Sequence, residues 1–356
     1  MSATFDRTQA FCTRFGLGIP ILLAPMAGVA APALSSAIAN AGGLGSCGVL
    51  LMKPEEIVAW ASEVRSRSNG AFQLNIWIPD PAPKRDAAAE AKVRDFLGTW
   101  VPAVPAGAAD EPLPDFDAQC EAILKAGPPI VSSIMGLYPA DFVARLKQRG
   151  IAWFAVATTV PEARAAEAAG ADAIVAQGME AGGHRGAFDA AQAERRLVGL
   201  FALLPSIVDA ARVGDAAGRD HRHAHGVAAA LALGASAAQI GTGFLRCPEA
   251  GISAAWADAI ATTAPEDTMV SRVFSGRPGR SIATRYALAA TAPEAPEPAP
   301  YPIQRALTAA MRGVATRAGN IDGIQAWAGQ ASALARAEPA DILAQKIWDG
   351  ARALLA

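Results

Sequence analysis

Short apolar runs alternate with Ala-rich amphipathic stretches through most of the chain, and a glycine-containing loop follows each apolar run. This alternation is typical of parallel strands that are joined by crossover helices. We predict strands at 20–26, 44–50, 71–78, 129–135, 151–157, 172–177 and 237–241, with a further strand of less regular pattern near 213–218.

The intervening helices have clear ends. Residues 161–169 begin with Pro161, which favours a first helical turn, and stop at Gly170. Residues 226–233 stop at Gly234 in the same way. Eight such units close a barrel, whereas six form an open sheet. Seven clear strands and one irregular strand therefore favour a (β/α)8 TIM barrel in the α/β class.

The chain has 356 residues, and a barrel of this kind takes ~250. We expect the barrel at 1–290, a Pro-rich linker at 291–302 and a helical segment at 303–356 that packs on the barrel. Residues 79–116 are rich in Pro, Ala and Asp, so they are predicted to form a long excursion after the third strand.

Composition narrows the class of protein. The chain is 52% hydrophobic and 18% charged, which suits a large buried core. Its net charge of −2 includes no basic block, so a nucleic-acid partner is not expected. The N-terminus has no apolar signal segment, and prolines interrupt the most apolar stretch, so a membrane span is not expected. Widely spaced cysteines without a CxxC pair indicate reduced thiols in a cytoplasmic protein. We expect a monomer or homodimer.

Candidate chemistry should lie in the loops after the strands, where barrels carry their active sites. Ala24 and Met26 follow the first strand in APMAG, whose small residues leave the main chain open to a flat ring, although a tight turn looks the same. Asn75 in the third strand needs a hydrogen-bond partner, which is either a cofactor's polar edge or the backbone.

The segment AQGMEAGGHRG follows the sixth strand and is the most informative one. Gln177 ends the strand, and Gly182 and Gly183 are expected to place His184 on a mobile backbone. An imidazole above the barrel can act as a general base near neutral pH. A solvated or hydrogen-bonded structural histidine is the alternative.

Two further segments suit anions. In QIGTGFL after the last strand, Gly241 and Thr242 offer N–H groups and a hydroxyl at the usual phosphate site of barrels. In SGRPGRSIATRY, Arg277, Arg280 and Arg285 face either an anionic ligand or solvent.

These segments, with NAGGLGS, LNIW and the tail YPIQRALTAAMR…WAGQ, resemble the nitronate monooxygenases, formerly called 2-nitropropane dioxygenases, from about residue 15 to 350. Flavin-dependent enoyl reductases of fatty-acid synthesis share much of the pattern. The resemblance implies an enzyme with FMN on the carboxyl face of the barrel, and His184 as the base that deprotonates a nitroalkane or orients its nitronate. The implied FMN contacts are Ala24, Met26, Asn75, Gln177, Gly182 and Gly218, with Gln239, Ile240, Gly241 and Thr242 at the phosphate end.

The implied reaction oxidises a nitronate with O2 to a carbonyl compound and nitrite. Two alternatives stay open: NAD(P)H-dependent reduction of an enoyl thioester on the same flavin, and a flavin-binding protein with impaired catalysis. The resemblance also brings Tyr301 and Gln304 of the tail towards the pocket.

The chain departs from the family pattern at two places. Many members have a histidine in a fourth-strand segment VSxHxG, whereas this chain has VSSIMG with Ile134 in its place. If that histidine helps catalysis there, this chain relies on His184. Members also have an apolar seventh strand that ends in a Gly-Gly phosphate loop, whereas residues 212–225 here read RVGDAAGRDHRHAH.

The irregular seventh segment has two interpretations. Alternating His221, His223 and His225 could share a strand face as metal ligands, but we expect no metal. Our hypothesis is a pair of compensating frameshifts, in the gene or in its sequencing. If one G is inserted into codons for AGGIIADAH and one G is removed further along, the resulting codons encode the sequence at 217–225. As written, the charges of Arg219, Asp220 and Arg222 predict weaker FMN binding and lower stability, because unpaired buried charges cost several kcal/mol.

Overall fold

Eight parallel strands form the centre of the structure, a computed structural model that describes residues 3–26, 28–29, 31–101, 103–110, 112–211, 216–219 and 224–356. The strands are β1 (Ile21–Leu23), β2 (Gly45–Gly48), β3 (Phe72–Trp77), β4 (Ile130–Ile134), β5 (Ala152–Ala157), β6 (Ala173–Gln177), β8 (Ala216–Arg219) and β9 (Ala237–Ile240). A separate antiparallel sheet consists of β7 (Gly183–His184), β10 (Thr268–Ser271) and β11 (Gly279–Ile282).

The eight strands close into a barrel. They are hydrogen-bonded in the order β1-β9-β8-β6-β5-β4-β3-β2. The two outer strands then meet, because the amide of Leu23 donates to Leu44 O at 2.8 Å and the amide of Leu44 donates to Ile21 O at 3.0 Å. The predicted (β/α)8 architecture is therefore confirmed.

Helices connect the strands as the sequence pattern predicts. α7 starts one residue before Pro161, where the Thr159 hydroxyl accepts a hydrogen bond from the Glu162 amide. The helices are α1 (Ala3–Phe15), α2 (Pro32–Asn40), α3 (Pro54–Arg67), α4 (Ala87–Leu97), α5 (Phe116–Ala126), α6 (Ala140–Gln148), α7 (Val160–Ala168), α8 (Leu200–Ala210), α9 (Ala224–Ala232), α10 (Ala254–Thr262), α11 (Arg285–Ala290), α12 (Ile303–Leu307), α13 (Ala309–Ala318) and α14 (Ala340–Leu355). The excursion after β3 thus contains α4.

The apolar residues of the strands divide between two cores because side chains alternate along a strand. Ile21 and Leu23 pack outward against the helices, whereas Leu22 points inward into a smaller cluster. Phe15 of α1 packs on Phe154 of this inner cluster, with ring centroids 4.9 Å apart. Helix α1 therefore covers the amino-terminal end of the barrel, and the opposite end remains for a site.

The C-terminal segment packs on the barrel's helices. α14 contacts α9 and α2, and Trp327 forms a β-bridge with Ser281 of β11. The division of the chain at 291–302 stays a prediction. Within the residues that the structure describes, no helix is both long and apolar enough to cross a membrane.

A strand is present where the sequence is irregular. β8 pairs in parallel with β6 and β9, and places Gly218 beside Ala176 and Ala238. The metal-site hypothesis for His221, His223 and His225 and the frameshift hypothesis for 217–225 fall in part on residues 220–223, which lie outside the described ranges. His225 is exposed on α9.

Candidate active site

A cavity opens at the carboxyl ends of the barrel strands, with an empty volume of about 780 Å³. The cavity brings together residues from distant loops that were predicted from sequence: Ala24, Met26, Asn75, Gly182, His184, Gly241 and Thr242.

Three other predicted residues that the structure describes, Gln177, Gln239 and Ile240, do not line this cavity. Gly218 lies in β8, and Ile240 is fully buried in the outer core. Gln239 pairs in register with the inward-pointing Leu22, so its side chain also points into the barrel. Both polar atoms of the Gln239 amide lack a hydrogen-bond partner among the described residues.

The loop that carries His184 was expected to be mobile, and this expectation is wrong. His184 lies in β7, where it pairs with Gly279, and Gly183 pairs with Arg280. The amide of Arg185 also donates to Pro278 O at 2.9 Å. The glycines supply a turn, with Gly183 at φ 79°, but backbone pairing then fixes the imidazole's position.

Gln177 holds the same loop through its side chain. Its Nε2 donates to His184 O at 3.0 Å, and its Oε1 accepts from the Gly186 amide at 2.7 Å. Gln177 is fully buried and uses both ends of the amide on the loop. The structure therefore places this side chain beneath His184, where it binds the main chain.

Three buried guanidinium groups bind carbonyl groups of the loop. Arg280 Nε donates to Met179 O at 3.0 Å, Arg185 Nη1 donates to Gly178 O at 2.6 Å, and Arg277 Nη2 donates to Ala187 O at 3.1 Å. These hydrogen bonds attach the residues after β6 to the barrel rim.

Arg277 and Arg280 of SGRPGRSIATRY match neither interpretation of the sequence, which placed them against an anionic ligand or in solvent. Arg277 and Arg280 are buried, at 2% and 6% exposure, and they bind protein carbonyls. Burial lowers the pKa of Arg277, and the Asp80 carboxylate 3.4 Å away opposes that shift. Arg285 does match the solvated alternative, because its side chain is 78% exposed and pairs with Asp322.

The ring of His184 has a defined environment. Its Nε2 lies 2.8 Å from the Ser275 hydroxyl, and that hydroxyl donates to Arg277 O at 3.1 Å. A serine that donates to this carbonyl accepts from the imidazole, so the two contacts favour the tautomer with its proton on Nε2. Trp77 and Trp327 contact the ring from two sides, each with ring centroids 4.6 Å from it.

The walls of the cavity fit a flat, partly polar ring system. Gly241 packs closely on Ala24, because a Cβ on Gly241 would lie 3.3 Å from the Cβ of Ala24. Both residues are small, so no long side chain projects into the cavity from this wall. Asn75 contributes an amide that is held by two hydrogen bonds to Ser132, at 3.2 and 2.9 Å. Thr242 adds a hydroxyl, which accepts from the Gly329 amide at 3.3 Å. Small, apolar and fixed polar groups are the usual lining of a cofactor site.

Several lining residues were not identified from the sequence as site residues. Trp77, Trp256 and Trp327 line the cavity, and Ser275 supports His184. Trp77, Trp327 and Ser275 lie in the quoted segments LNIW, WAGQ and SGRPGRSIATRY, whereas Trp256 gave no signal in the sequence. Ile134 also lines the cavity, so the position at which the sequence resemblance leads one to expect a histidine is apolar here.

The two tail residues differ in position. Tyr301 packs against Trp77, with ring centroids 5.2 Å apart. Gln304 is buried away from the cavity, where its amide binds Val273 O at 2.7 Å and the Ala299 amide at 3.0 Å. Tyr301 therefore lies beside the site, and Gln304 belongs to the packing of the C-terminal segment.

A (β/α)8 barrel with a histidine and a glycine-lined cavity at the carboxyl ends of its strands has the architecture of a barrel enzyme. The sequence profile of the nitronate monooxygenase family matches residues 10–349. A nitronate monooxygenase of Paraburkholderia phytofirmans is 40% identical over 345 residues, which cover 95% of this chain and 93% of that protein. The chain belongs to the nitronate monooxygenase family and is an oxidoreductase.

Solved structures agree with this assignment. A nitroalkane oxidase from Streptomyces ansochromogenes superposes with a TM-score of 0.88 at 34% identity, covering 98% of this chain and all of that one. FabK from Thermotoga maritima superposes with a TM-score of 0.75 at 23% identity, covering 97% of this chain and 96% of that one. The second likeness shows the shared fold alone.

Proposed function

We propose that the protein binds FMN in the cavity and uses O2 to oxidise nitronates to carbonyl compounds and nitrite. The support is the family membership together with one observation: a single cavity combines His184, Asn75 and the Gly241–Thr242 turn. FMN supplies electron transfer between the nitronate and O2. Asn75, Gly182 and Met26 would hold its ring system, and Gly241 and Thr242 its phosphate end.

His184 would act as the base towards a neutral nitroalkane. With its proton on Nε2, the neutral imidazole carries its lone pair on Nδ1, which is the atom that can accept the proton next to the nitro group. The imidazolium that results keeps its hydrogen bond to Ser275 and pairs with the nitronate's negative charge. Trp77 and Trp327 flank the ring, and their apolar faces lower the local dielectric, which strengthens that attraction.

The overall reaction adds one oxygen atom per nitronate. Two nitronate anions and one O2 therefore give two carbonyl compounds and two nitrite ions, with charge conserved. The described residues that line the cavity include one imidazole, that of His184. Proton removal and orientation of the anion are therefore both assigned to this residue.

The absorption spectrum of the purified protein tests cofactor binding, and anaerobic mixing tests the reaction. We expect a yellow protein whose flavin bands are bleached by ethyl nitronate without NADH. Bleaching by NADH alone would instead favour the enoyl-thioester reductase. A colourless protein without turnover would favour a binding protein with impaired catalysis and would contradict the proposal.

A His184→Asn variant tests the base. Nitroethane needs proton removal and ethyl nitronate does not, so we expect kcat/KM to fall by ~10²–10⁴ for nitroethane and by much less for the nitronate. His225→Asn is the matched control, because His225 is exposed on α9 outside the cavity. Equal losses on both substrates would show that His184 is not the base.

A further inference from the structure

A cleft with two arginines lies beside the candidate active site, and we call it the arginine cleft. Its empty volume is about 1030 Å³, and its described lining includes Arg305 of α12 and Arg312 of α13. His184 and Trp327 contribute to the wall of this cleft and also to that of the active-site cavity. The proposed function assigns no role to the two arginines.

Arg312 lies against the segment that carries Arg305. Its Nη2 donates to the main-chain oxygen of Arg305 at 2.8 Å. Burial lowers the pKa of Arg312 to about 10, and the positive charge of Arg305 makes a smaller contribution in the same direction. Both groups still carry their charge at neutral pH, so the cleft holds two positive charges that repel each other.

No described carboxylate compensates these charges. Arg312 Nε donates to Thr308 Oγ1 at 3.2 Å and its Nη1 donates to Gln325 Oε1 at 3.2 Å, so both acceptors are uncharged. The described wall of the cleft contains neither Asp nor Glu. The buried Arg277, by contrast, has the Asp80 carboxylate at 3.4 Å. Partly buried cations without a counterion are unfavourable, and an anion that enters the cleft relieves this cost.

The chemistry of the two side chains indicates which anion fits. A guanidinium group is planar, and its parallel N–H donors match the oxygens of a phosphate group. A phosphate group with one free ester position or none carries a charge of about −1.5 to −2 at pH 7, which balances two arginines. A chloride ion offers a single charge and no such geometry. The pair therefore favours a phosphate group.

We propose that the arginine cleft is a binding site for a phosphate group, with Arg305 and Arg312 as the residues that bind it. This site differs from the turn at Gly241 and Thr242, to which the proposed function assigns the phosphate of FMN, because that turn does not line the cleft. Phosphate binding here does not require that the protein oxidise nitronates.

Calorimetric titration of the purified protein with inorganic phosphate tests the inference. We expect saturable binding that sodium chloride at the same ionic strength does not reproduce, because ionic strength alone screens charges without occupying the site. A titration without saturable binding would overturn the proposal.

Arg305→Gln and Arg312→Gln variants locate the site. Each change removes charge-assisted hydrogen bonds, so each should weaken phosphate binding by ~10- to 100-fold. Arg317→Gln is the matched control, because Arg317 is exposed on the same helix, lies outside the cleft and gives the same change in net charge.

Thermal unfolding shows whether the variants fold. Arg305 is partly exposed, so Arg305→Gln keeps the test available if Arg312→Gln does not fold. Wild-type affinity in a folded Arg305→Gln variant, or an equal loss in Arg317→Gln, would show that the phosphate is bound elsewhere.

Phenyl phosphate separates the two sources of a phosphate group. Trp256 and Trp327 line the cleft, so the ring of an aromatic ester can pack against them. Tighter binding of phenyl phosphate than of inorganic phosphate, lost in Arg305→Gln, would support the site and identify a phosphate ester as its ligand. Equal affinities that the variant also abolishes would support it for free phosphate. Nitronate oxidation by a protein that binds neither compound would leave the proposed function intact and refute the phosphate site.

Discussion

The Ser275 hydroxyl lies 2.8 Å from Nε2 of His184 and donates its own proton to Arg277 O. It also accepts the Arg277 amide at 3.3 Å, so the serine is oriented by the backbone of its own turn. A hydroxyl that is fixed in this way selects one tautomer of the neutral imidazole. The serine therefore favours the tautomer that carries its proton on Nε2.

Replacing Ser275 by alanine should lower kcat on nitroethane by about 10- to 100-fold, because the imidazole loses its orientation and tautomer. The ethyl nitronate reaction should be less sensitive, since it needs no proton removal. Ser271→Ala is a suitable control, because the buried Ser271 hydroxyl has no partner among the described residues. An unchanged pH profile and rate in Ser275→Ala would refute the tautomer assignment.

Replacing Gln177 by leucine should lower both stability and kcat. The change leaves His184 O and the Gly186 amide without their partner, at ~1–3 kcal/mol for each group that stays buried. Gln304→Leu removes an equivalent pair of main-chain contacts away from the cavity, so it should lower stability alone. Urea unfolding and kcat separate the two effects. Identical kcat values in both variants would count against the positioning role of Gln177.

Replacing Gly182 by alanine should displace the segment that carries Trp327. The added Cβ would lie 2.5 Å from the Gly329 amide nitrogen and 2.6 Å from Ala328 C, so backbone must move, at a cost of ~1–3 kcal/mol. Flavin content after gel filtration should fall. Gly251→Ala has open space and a φ of +63°, so it should cost ~1–2 kcal/mol and keep the flavin. Full flavin content in Gly182→Ala would contradict this prediction.

The protein should lose stability in alkali through its thiols. Burial raises the pKa of Cys12 to about 11 and those of Cys47, Cys120 and Cys247 to about 12, from 9.0. The unfolded chain releases these protons first, so their contribution is complete below pH 9 and is lost as the pH rises towards 11 to 12. The slope of the free energy of unfolding against pH approaches ~1.4 kcal/mol per pH unit for each thiol.

Urea unfolding at several pH values between 8 and 11 measures this loss of stability. A Cys47→Ala variant should show a smaller slope than the wild type. In the native protein at pH 8, Ellman's reagent should label none of the four buried cysteines, and all of them after unfolding. Rapid labelling of the native protein would show that the thiols are accessible.

The sequence predicted the barrel well because each strand is encoded locally. β3 and β5 lie within a residue or two of their predicted bounds, since a buried parallel strand is a continuous apolar run that ends at polar or glycine residues. Residues of the site were predictable for a related reason. Loops after parallel strands must meet at one rim, so Asn75, His184 and Gly241 were expected together.

The predictions that were wrong have a different cause. They concern residues whose environment is set by contacts between segments that are distant in the sequence. The rigid position of His184 depends on β11 and on Ser275, which is 91 residues away in the sequence. Arg277 and Arg280 seemed ligand-facing or solvated because a sequence does not show which carbonyl groups they will bind.

The position of Trp327 along the chain determines when the site is completed during synthesis. This ring forms part of the wall beside His184, yet it lies in the last tenth of the chain. Synthesis proceeds from the N-terminus, so the strands and the histidine emerge from the ribosome well before the residue that encloses them. A nascent chain therefore presents an open pocket, and stable capture of its ligand must wait until Trp327 has been synthesised.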